Sequence, residues 1–365
     1  MVRVLHVCNG MNRGGIETFI MNLYRTMDRS QVQFDFLLSQ RECDYRVEIE
    51  NLGGHIYTIP ARNKGFMQYR ANLDDFFRSN AVNYDAVHLH RSSLSSIEPL
   101  QYAKKYGIKN RIIHAHSTNQ SGFLHLMLHC WHKLFIHSAA THYYACSDKA
   151  QTWMYRYTGI NSKVKIINNG IIISNFRYDL ELRSQMRQSL GIAENEVVLG
   201  LVANLIPVKN HKFLIEIFRE FKQIMPGSKL LIVGRGRLER EIKAQIEREN
   251  LTGSVLCLGK RTDIASLLQA IDAFVMPSFW EGLPVSLIEA QTSGLPVFCS
   301  GTISPMSKVT DNYYSLSLSL SAEEWAEFIK EKLDVFERKD VADRIISAGF
   351  DIENIARRLM KDYQN

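Results

Sequence analysis

Paired cysteines, a leader segment and long apolar runs are all missing from this sequence. Its 6 cysteines are scattered over 365 residues without a CxxC spacing, which argues against a zinc ribbon or a disulfide framework. No uncharged apolar run approaches the roughly 18–20 residues that a membrane span requires, and the first residues lack the apolar core of a signal peptide. We therefore expect a cytoplasmic protein with reduced thiols.

The signatures of several large protein classes are also absent. There is no GxxxxGK[ST] loop, and Gly234-Arg-Gly236 has Glu239 where a dinucleotide-binding fingerprint needs its third glycine. No Asp-x-Asp pair occurs that could hold a divalent ion after a strand. The balance of 44 basic and 38 acidic side chains gives a net charge of only +6, which is weak support for nucleic-acid binding. We expect no cofactor, no resident metal and no nucleic acid.

The sequence does contain a regular alternation of short apolar runs and amphipathic patterns. The runs, such as Val2–Cys8 and Lys229–Val233, are unbroken rather than alternating, as is typical of parallel strands buried on both faces. Segments such as Ile264–Ala270 and Val285–Thr292 separate these runs and are predicted to be helices. This order of elements predicts an α/β protein with doubly wound parallel sheets.

The alternation is interrupted once, which suggests two domains. The stretch 175–196 is polar and charged, and we interpret Asn175–Asp179 as a linker. We therefore predict one Rossmann-like domain at residues 1–178 and a second at 179–349. A basic helix within 350–365 is expected to pack back on the first domain.

The segment 279–290 carries the most chemical information. Pro284 lies where a helix begins, a position at which its missing N–H is tolerated. Gly282 allows a ligand to approach the backbone, and free N–H groups at a helix start suit a phosphate or sugar oxygen. Glu281 in the loop and Glu289 in the helix would lie about 8–12 Å apart at a rise of ~1.5 Å per residue. Two glutamates can simply be surface acids, but this strand–glycine–proline–helix context favours binding of the two diols of a sugar nucleotide.

The same segment closely resembles the nucleotide-sugar half of the retaining GT-B glycosyltransferases of family four. The strongest match is Pro277-Ser-x-x-Glu281-Gly-Leu-Pro-x-x-x-x-Glu289-Ala, followed by Gly294-Leu-Pro296-Val. Further matches occur in order along nearly the whole chain: Gly14-Gly15, His114-Ala-His116-Ser, Cys146-Ser147-Asp148, Asn168-Asn-Gly170-Ile, Val233-Gly234-x-Gly236, Gly259-x-Arg-x-Asp263-Ile and Asp272-x-x-x-x-Pro277-Ser. The resemblance implies two doubly wound Rossmann-like domains facing across a cleft. The subgroup that it resembles most builds bacterial exopolysaccharide and capsular polysaccharide.

The resemblance implies roles for residues of the second domain. Glu281 would contact the donor hexose hydroxyls, Glu289 would hold the ribose hydroxyls, and Lys209 would neutralise the departing diphosphate. This chain has Asn204 where the family usually places an arginine. Either Lys209 works with another cation, for which Arg261 is our candidate, or the diphosphate is bound more weakly. The other donor-binding residues implied are Gly234, Gly282, Leu283 and Pro284.

In the first domain the resemblance implies roles for Gly14, Gly15 and His116. The two glycines lie between the first strand and its helix, where bare backbone can approach the reacting phosphate or the acceptor. His116 follows a strand and matches a family histidine that faces the anomeric region of the donor. With Lys209 and Glu281 it completes the predicted catalytic set. We interpret most of the other histidines as core or surface residues.

The segment 123–136 has several competing interpretations. His125, His129 and His132 could project from one helix face toward a transition metal, but no HExxH motif or acidic neighbour supports a metal site. The segment is also rich in apolar and aromatic residues. It is therefore either a core helix or a helix lying in a membrane interface, where the basic residues within 104–111 would attract anionic lipid.

These observations predict a retaining, metal-independent glycosyltransferase. It would move a hexosyl unit from UDP-hexose or UDP-N-acetylhexosamine to a saccharide or lipid-linked saccharide acceptor in polysaccharide biosynthesis. We expect it in the cytoplasm, with peripheral contact to the inner face of the plasma membrane. Two alternatives stay open: a catalytically degenerate nucleotide-sugar-binding partner subunit, which Asn204 favours, and a GT-B sugar-nucleotide 2-epimerase. The pair of Glu281 and Glu289 favours transfer over epimerisation.

Overall fold

The computed structural model describes residues 1–12, 14–116 and 122–364. The chain divides into two compact units. Unit 1 comprises Met1–Gly170 together with Asp351–Asn365, and unit 2 comprises Ile171–Phe350. The predicted domain boundary at residue 178 therefore lies inside unit 2.

Unit 1 is built on a parallel sheet of seven strands in the order β3-β2-β1-β4-β5-β6-β7. The strands are β1 (Val2–Cys8), β2 (Val32–Leu38), β3 (Ile56–Thr58), β4 (Ala86–Arg91), β5 (Asn110–Ala115), β6 (His142–Ala145) and β7 (Val164–Ile166). β2 is buried along its whole length, as unbroken apolar runs predict. The strand order reverses between β1 and β4, so the carboxyl ends of these strands mark the edge where doubly wound sheets bind ligands.

Helices cover both faces of this sheet. They are α1 (Gly15–Thr26), α2 (Arg46–Asn51), α3 (Phe66–Asn80), α4 (Glu98–Lys105), α5 (Phe123–Lys133), α6 (Ile136–Ala139) and α7 (Asp148–Tyr155), and the C-terminal helix of the chain belongs with them. That last helix (Ile352–Gln364, α16 in chain order) buries residues at helical spacing, including Ile355, Leu359 and Tyr363. Its apolar stripe packs against α1 and β1.

Unit 2 repeats this architecture with six parallel strands in the order β10-β9-β8-β11-β12-β13. The strands are β8 (Val198–Val202), β9 (Lys229–Val233), β10 (Val255–Gly259), β11 (Ala273–Met276), β12 (Val297–Ser300) and β13 (Tyr313–Leu316). The helices are α8 (Ile173–Phe176), α9 (Leu180–Ser189), α10 (His211–Ile224), α11 (Glu239–Arg248), α12 (Ile264–Ala270), α13 (Val285–Thr292), α14 (Ala322–Asp334) and α15 (Ala342–Ser347). Here the order reverses between β8 and β11, which predicts a ligand site at the loops after these two strands.

The segment Asn175–Asp179, interpreted above as a linker, lies within unit 2, so that prediction was wrong. Asn175 belongs to α8, and Asp179 caps α9 by accepting a hydrogen bond from the Leu182 N–H. The sequence of the following segment predicts exposure to solvent, because it contains charged residues such as Arg187. This arginine is fully buried, and Asp272 together with backbone carbonyls accepts hydrogen bonds from the two terminal nitrogens of its guanidinium.

Candidate active site

Two loops of unit 2 meet at the carboxyl ends of its sheet, after the neighbouring strands β8 and β11. The β8 loop contains a short 3-10 helix, Pro207–Lys209, and the Phe279 N–H of the β11 loop donates to the Val208 carbonyl over 2.8 Å. This bond holds the two loops together. The side chains of Lys209 and Glu281 form an ion pair there, and each is 15% exposed. The structure thus brings two of the predicted catalytic residues into direct contact.

A third loop, which follows β9, packs closely against the β8 loop. Gly234 has a φ of 147°, a conformation that other residues rarely adopt, and a Cβ there would collide with the Ala203 carbonyl. A Cβ at Gly236 would collide with the Leu205 carbonyl in the same way. The Gly-x-Gly spacing therefore serves the close packing of two loops, and Asn204 remains exposed on the packed β8 loop.

The start of α13 is open to a ligand. A Cβ at Gly282 would meet no atom within 4 Å, whereas Leu283 and Pro284 are buried beneath the loop. The first N–H groups of a helix lack an intrahelical acceptor, and the helix dipole makes them suitable for an anion. The chain therefore offers backbone donors directly after Glu281.

Glu289 lies one turn further along α13 and is half-buried. Within the described part of the chain its carboxylate has no ion pair or hydrogen bond. Burial raises the pKa of Glu289 to about 7. A desolvated carboxylate without a cation is unfavourable for the fold alone, and such groups are enriched where a ligand supplies the missing donors.

We expect Glu289→Gln to stabilise unit 2 at pH 8 and to weaken UDP binding about tenfold, because a charged acceptor is lost. The folded-state pKa near 7 exceeds the ordinary value of 4.5. The folded chain therefore holds more protons than the unfolded chain between these pH values, and the carboxylate progressively destabilises the fold as the pH rises. Glutamine removes this penalty, which is at most about 3 kcal/mol. Calorimetric unfolding at pH 5 and pH 8, with UDP titrations, tests both effects; a Tm gain that is equal at the two pH values would contradict the assignment.

Two arginines lie in loops that follow strands of unit 2: Arg237 after β9 and Arg261 after β10. Arg261 donates from Nε to Asp263 Oδ1 over 2.8 Å, so its charge is already balanced by a neighbour. Arg237 borders an open cavity of about 470 Å³ together with Phe279 and Trp280. The sequence analysis missed Arg237; its place directly after the Gly-Arg-Gly spacing is the signal that could have found it.

The candidate residues of unit 1 lie after β1 and β5. Gly14 has an extended backbone with φ −118°, and a Cβ at Gly15 would meet no atom within 4 Å. Gly15 thus leaves open space at the start of α1, whereas a Cβ at Gly14 would meet the carboxylate of Glu17. His116 directly follows β5, and burial lowers its pKa to about 3. Ser117, which completes the predicted histidine motif, lies outside the described residues.

The histidines of α5 have structural partners. The Leu94 N–H donates to His129 Nδ1 over 3.0 Å, and His132 Nδ1 donates to the Leu94 carbonyl over 2.6 Å. These bonds anchor α5 to the loop after β4. His125 is exposed, and the part of the chain that the structure describes does not gather the three imidazoles into a ligand group.

Two doubly wound parallel sheets within one chain define the GT-B fold of glycosyltransferases, and both units of this protein have that topology. Two family models match: "Glycosyltransferase Family 4" at residues 13–175 and "Glycosyl transferases group 1" at residues 183–350. EpsF of Bacillus subtilis (strain 168), which carries the name of a glycosyltransferase, is 33% identical over 371 residues, covering 99% of this chain and 96% of the relative. The chain belongs to this glycosyltransferase family and is an enzyme of that class.

Two further comparisons concern more specific properties. A protein of Escherichia coli named UDP-Gal:alpha-D-GlcNAc-diphosphoundecaprenol alpha-1,3-galactosyltransferase is 35% identical over 141 residues, which is 38% of this chain and 36% of the relative. The crystal structure of Anabaena HepE in complex with UDP-glucose superposes with a TM-score of 0.79 at 21% identity, covering 100% of both chains. The likeness to HepE shows that the two chains share a fold.

Proposed function

We propose that this glycosyltransferase moves a hexosyl unit from UDP-hexose or UDP-N-acetylhexosamine to a saccharide or lipid-linked saccharide acceptor in polysaccharide biosynthesis. The observation that carries the proposal is the Lys209–Glu281 ion pair, which adjoins the open backbone of Gly282. The Escherichia coli relative, named for UDP-Gal and a diphosphoundecaprenol-linked acceptor, supports the choice of donor and acceptor classes.

In this proposal the donor separates the ion pair. The diphosphate becomes the partner of Lys209, which neutralises the charge that develops as the phosphate departs. Glu281, released from Lys209, accepts hydrogen bonds from the hexose hydroxyls, and Glu289 accepts those of the ribose. Backbone donors at the start of α13 and the guanidinium of Arg237 supply further positive charge.

We further propose that the reaction retains the anomeric configuration, as the family resemblance implies. The bond from the anomeric carbon to the phosphate breaks while the acceptor oxygen bonds to the same face of that carbon. The leaving phosphate oxygen takes the proton of the acceptor hydroxyl, so no protein nucleophile takes part. In unit 1 we assign Gly14, Gly15 and His116 to the reacting end of the donor and to the acceptor.

Turnover with UDP-Glc, UDP-Gal, UDP-GlcNAc and GDP-Man, each with a diphosphoundecaprenol-linked saccharide and excess EDTA, tests this proposal. We expect a product with the anomeric configuration of the donor and a rate unaffected by EDTA. Loss of activity on chelation, restored by manganese or magnesium, would refute metal independence. Donor binding without turnover would support the partner-subunit alternative, which Asn204 favours, and acceptor-independent inversion at C2 would support an epimerase.

We also propose that α5 docks the protein on an anionic membrane surface. Its exposed apolar side chains include Phe123 (79%), Leu124 (70%), Met127 (56%) and Trp131 (59%), so the core-helix interpretation was wrong. Exposed aromatic and aliphatic residues on one helix suit the headgroup boundary of a bilayer. Among the described residues, no helix is long and apolar enough to cross a membrane.

The basic residues expected to assist this docking are partly used within unit 1. Lys105 pairs with Asp74 over 2.5 Å, and the Arg111 guanidinium donates to backbone carbonyls, including that of Ala139. Lys104 and Lys109 are exposed. We therefore expect the apolar side chains of α5 to contribute most of the affinity.

Flotation with vesicles tests the docking surface. We expect the wild-type chain to float with phosphatidylglycerol vesicles, and the triple change of Phe123, Met127 and Trp131 to serine to abolish flotation. Val82→Ser, which removes an apolar side chain that is 92% exposed on unit 1, is the matched control and should change nothing. Wild-type protein that remains in the soluble fraction would exclude membrane docking.

A further inference from the structure

Five histidines cluster on or directly after three adjacent strands of the unit 1 sheet. They are His6 on β1, His88 and His90 on β4, and His114 and His116 in and directly after β5. The strand register pairs His6 with His88 and His90 with His114. Centroids of neighbouring rings are therefore only 4.0–5.6 Å apart. So many polar rings inside a core need hydrogen-bond partners.

Three of these rings form one hydrogen-bonded chain. His6 Nδ1 lies 2.9 Å from His90 Nε2, and His90 Nδ1 lies 2.8 Å from His116 Nε2. In each contact one nitrogen donates its proton and the other accepts. His90 therefore connects the interior ring of His6 with His116 at the carboxyl end of β5.

The other two rings form a separate chain. His88 Nδ1 lies 2.7 Å from the Tyr363 hydroxyl, and His88 Nε2 lies 3.3 Å from His114 Nδ1. A metal ion would gather the lone pairs of its ligands around one point about 2 Å from each of them. The nitrogens here instead contact one another in pairs, as N–H···N and O–H···N bonds do.

The inner end of the first chain determines the direction of donation. His6 Nε2 is buried without a hydrogen-bond partner among the described residues, and the ring packs against Phe34 and Phe36. A buried N–H without an acceptor is rarer than an unpaired acceptor. His6 therefore carries its proton on Nδ1 and donates to His90, and His90 in turn donates from Nδ1 to His116.

The outer end agrees with this direction. With Nε2 occupied as an acceptor, the neutral ring of His116 must carry its proton on Nδ1. His116 Nδ1 and Asn169 Oδ1 are both buried without a hydrogen-bond partner among the described residues. A proton on His116 Nδ1 therefore has an acceptor beside it, whereas a proton on His6 Nε2 would face aromatic rings. The Asn169 side chain raises the pKa of His116 against the larger, opposite effect of burial, as expected for an acceptor that faces the Nδ1 proton.

We propose that His90 is a positioning residue that holds His116 in the Nδ1-protonated tautomer and so fixes the orientation of the His116 ring at the ligand edge of the unit 1 sheet. In this tautomer both ring nitrogens of His116 are engaged, Nε2 by His90 and Nδ1 toward Asn169, so the ring contacts a ligand through its edge and cannot serve as a general base. The role of His116 in transfer rests on the proposed function. The tautomer of His116 is inferred from the hydrogen bonds alone and does not depend on that function.

Long-range proton–nitrogen NMR of the full chain, labelled with 15N-histidine, tests the proposal because the nitrogen shift distinguishes protonated from unprotonated ring positions. We expect wild-type His116 to carry its proton on Nδ1. His90→Leu removes the donor, so His116 should populate both tautomers and kcat should fall about 10–100-fold with KM within twofold. His90→Asn, whose amide nitrogen replaces Nδ1, should restore the tautomer and most of kcat.

His88→Leu is the matched control, since it removes an equally buried ring from the same strand but from the other chain. It should lower Tm as His90→Leu does and leave the His116 tautomer unchanged. Nε2 protonation of His116 in the wild type, the same tautomer change in His88→Leu, or a stoichiometric transition metal in the purified chain would overturn the proposal. Full activity of His116→Gln, with the tautomer still dependent on His90, would support the positioning and refute only the role of His116 in transfer.

Discussion

Replacing Lys209 by alanine is expected to lower kcat by about 10²–10³-fold, the range observed when one preorganised partner of a developing anion is removed. Lys209 is the cation that the β8 loop places beside Glu281, and Asn204 adds no charge. The change also leaves the Glu281 carboxylate, which is only 15% exposed, without its partner. We therefore expect unit 2 to lose about 1–3 kcal/mol of stability.

Donor kinetics, UDP titration calorimetry and calorimetric unfolding measure these losses. Lys212→Ala is the matched control, because this side chain is 78% exposed and lies 3.9 Å from Glu216; its effects should stay within about 0.5 kcal/mol. Near-wild-type turnover of Lys209→Ala would show that the phosphate site has been misplaced.

Glu281→Gln complements this test at the sugar end of the donor. It should nearly abolish transfer while UDP affinity stays within several-fold or improves, because Lys209 is released from its partner. When Lys209→Ala and Glu281→Gln are combined, no unpaired carboxylate is left at residue 281. The double variant should therefore be more stable than Lys209→Ala alone. Equal loss of UDP binding in Glu281→Gln would mean that the two ends of the donor have been assigned backwards.

Unit 1 is expected to unfold between about pH 6 and pH 5, before unit 2. Burial lowers the pKa of His6 to about 3 and holds those of His88, His90 and His114 well below 6.5. Below pH 6.5 the unfolded chain therefore binds more protons than the folded chain, so stability is complete above that pH and is lost as the pH falls. At about 1.4 kcal/mol per group and pH unit, these four groups remove roughly 5 kcal/mol by pH 5.5, a large part of an ordinary domain's stability.

Hydrogen exchange with mass spectrometry at pH 7.5, 6.5 and 5.5, corrected for intrinsic rates, measures this effect separately in each unit. Peptides from β1, β4 and β5 should lose protection, whereas those from β8 and β11 should keep it because His211 is the only histidine of unit 2. His114→Asn should reduce the pH dependence by about one proton, and the exposed His137→Asn should not. Equal protection of unit 1 at all three pH values would contradict the prediction.

Much of the fold could be predicted because parallel strands and their helices have local signatures. The strands at Val2–Cys8 and Lys229–Val233 and the helices Ile264–Ala270 and Val285–Thr292 have the predicted bounds. Unbroken apolar runs indicate strands that are covered on both faces, as in a doubly wound sheet. The linker prediction at Asn175–Asp179 failed because a polar composition indicates exposure only when the charged side chains have no partners within the fold. Arg187, which lies in the same polar stretch, is buried because Asp272 pairs with it.

The contacts that define the candidate site could not be predicted from local pattern. Lys209 and Glu281 meet because a backbone bond joins Phe279 to Val208, and nothing in either segment encodes that bond. The histidines were interpreted singly, as core or surface residues. Their alternate spacing indicates a shared face in each strand, but the order β1-β4-β5 that makes them neighbours is a property of the whole sheet.

The return of the last helix to unit 1 has a consequence for how the protein is synthesised. The seven strands of unit 1 leave the ribosome before unit 2, yet Tyr363, which bonds to His88 within their sheet, is made after all of unit 2. Domains usually fold in the order of their synthesis, but unit 1 must wait with the face of β1 uncovered until the helix Ile352–Gln364 has been made. A stop codon just before Ile352 would therefore remove the helix Ile352–Gln364 and damage unit 1, while unit 2, which lies directly before that stop, remains intact.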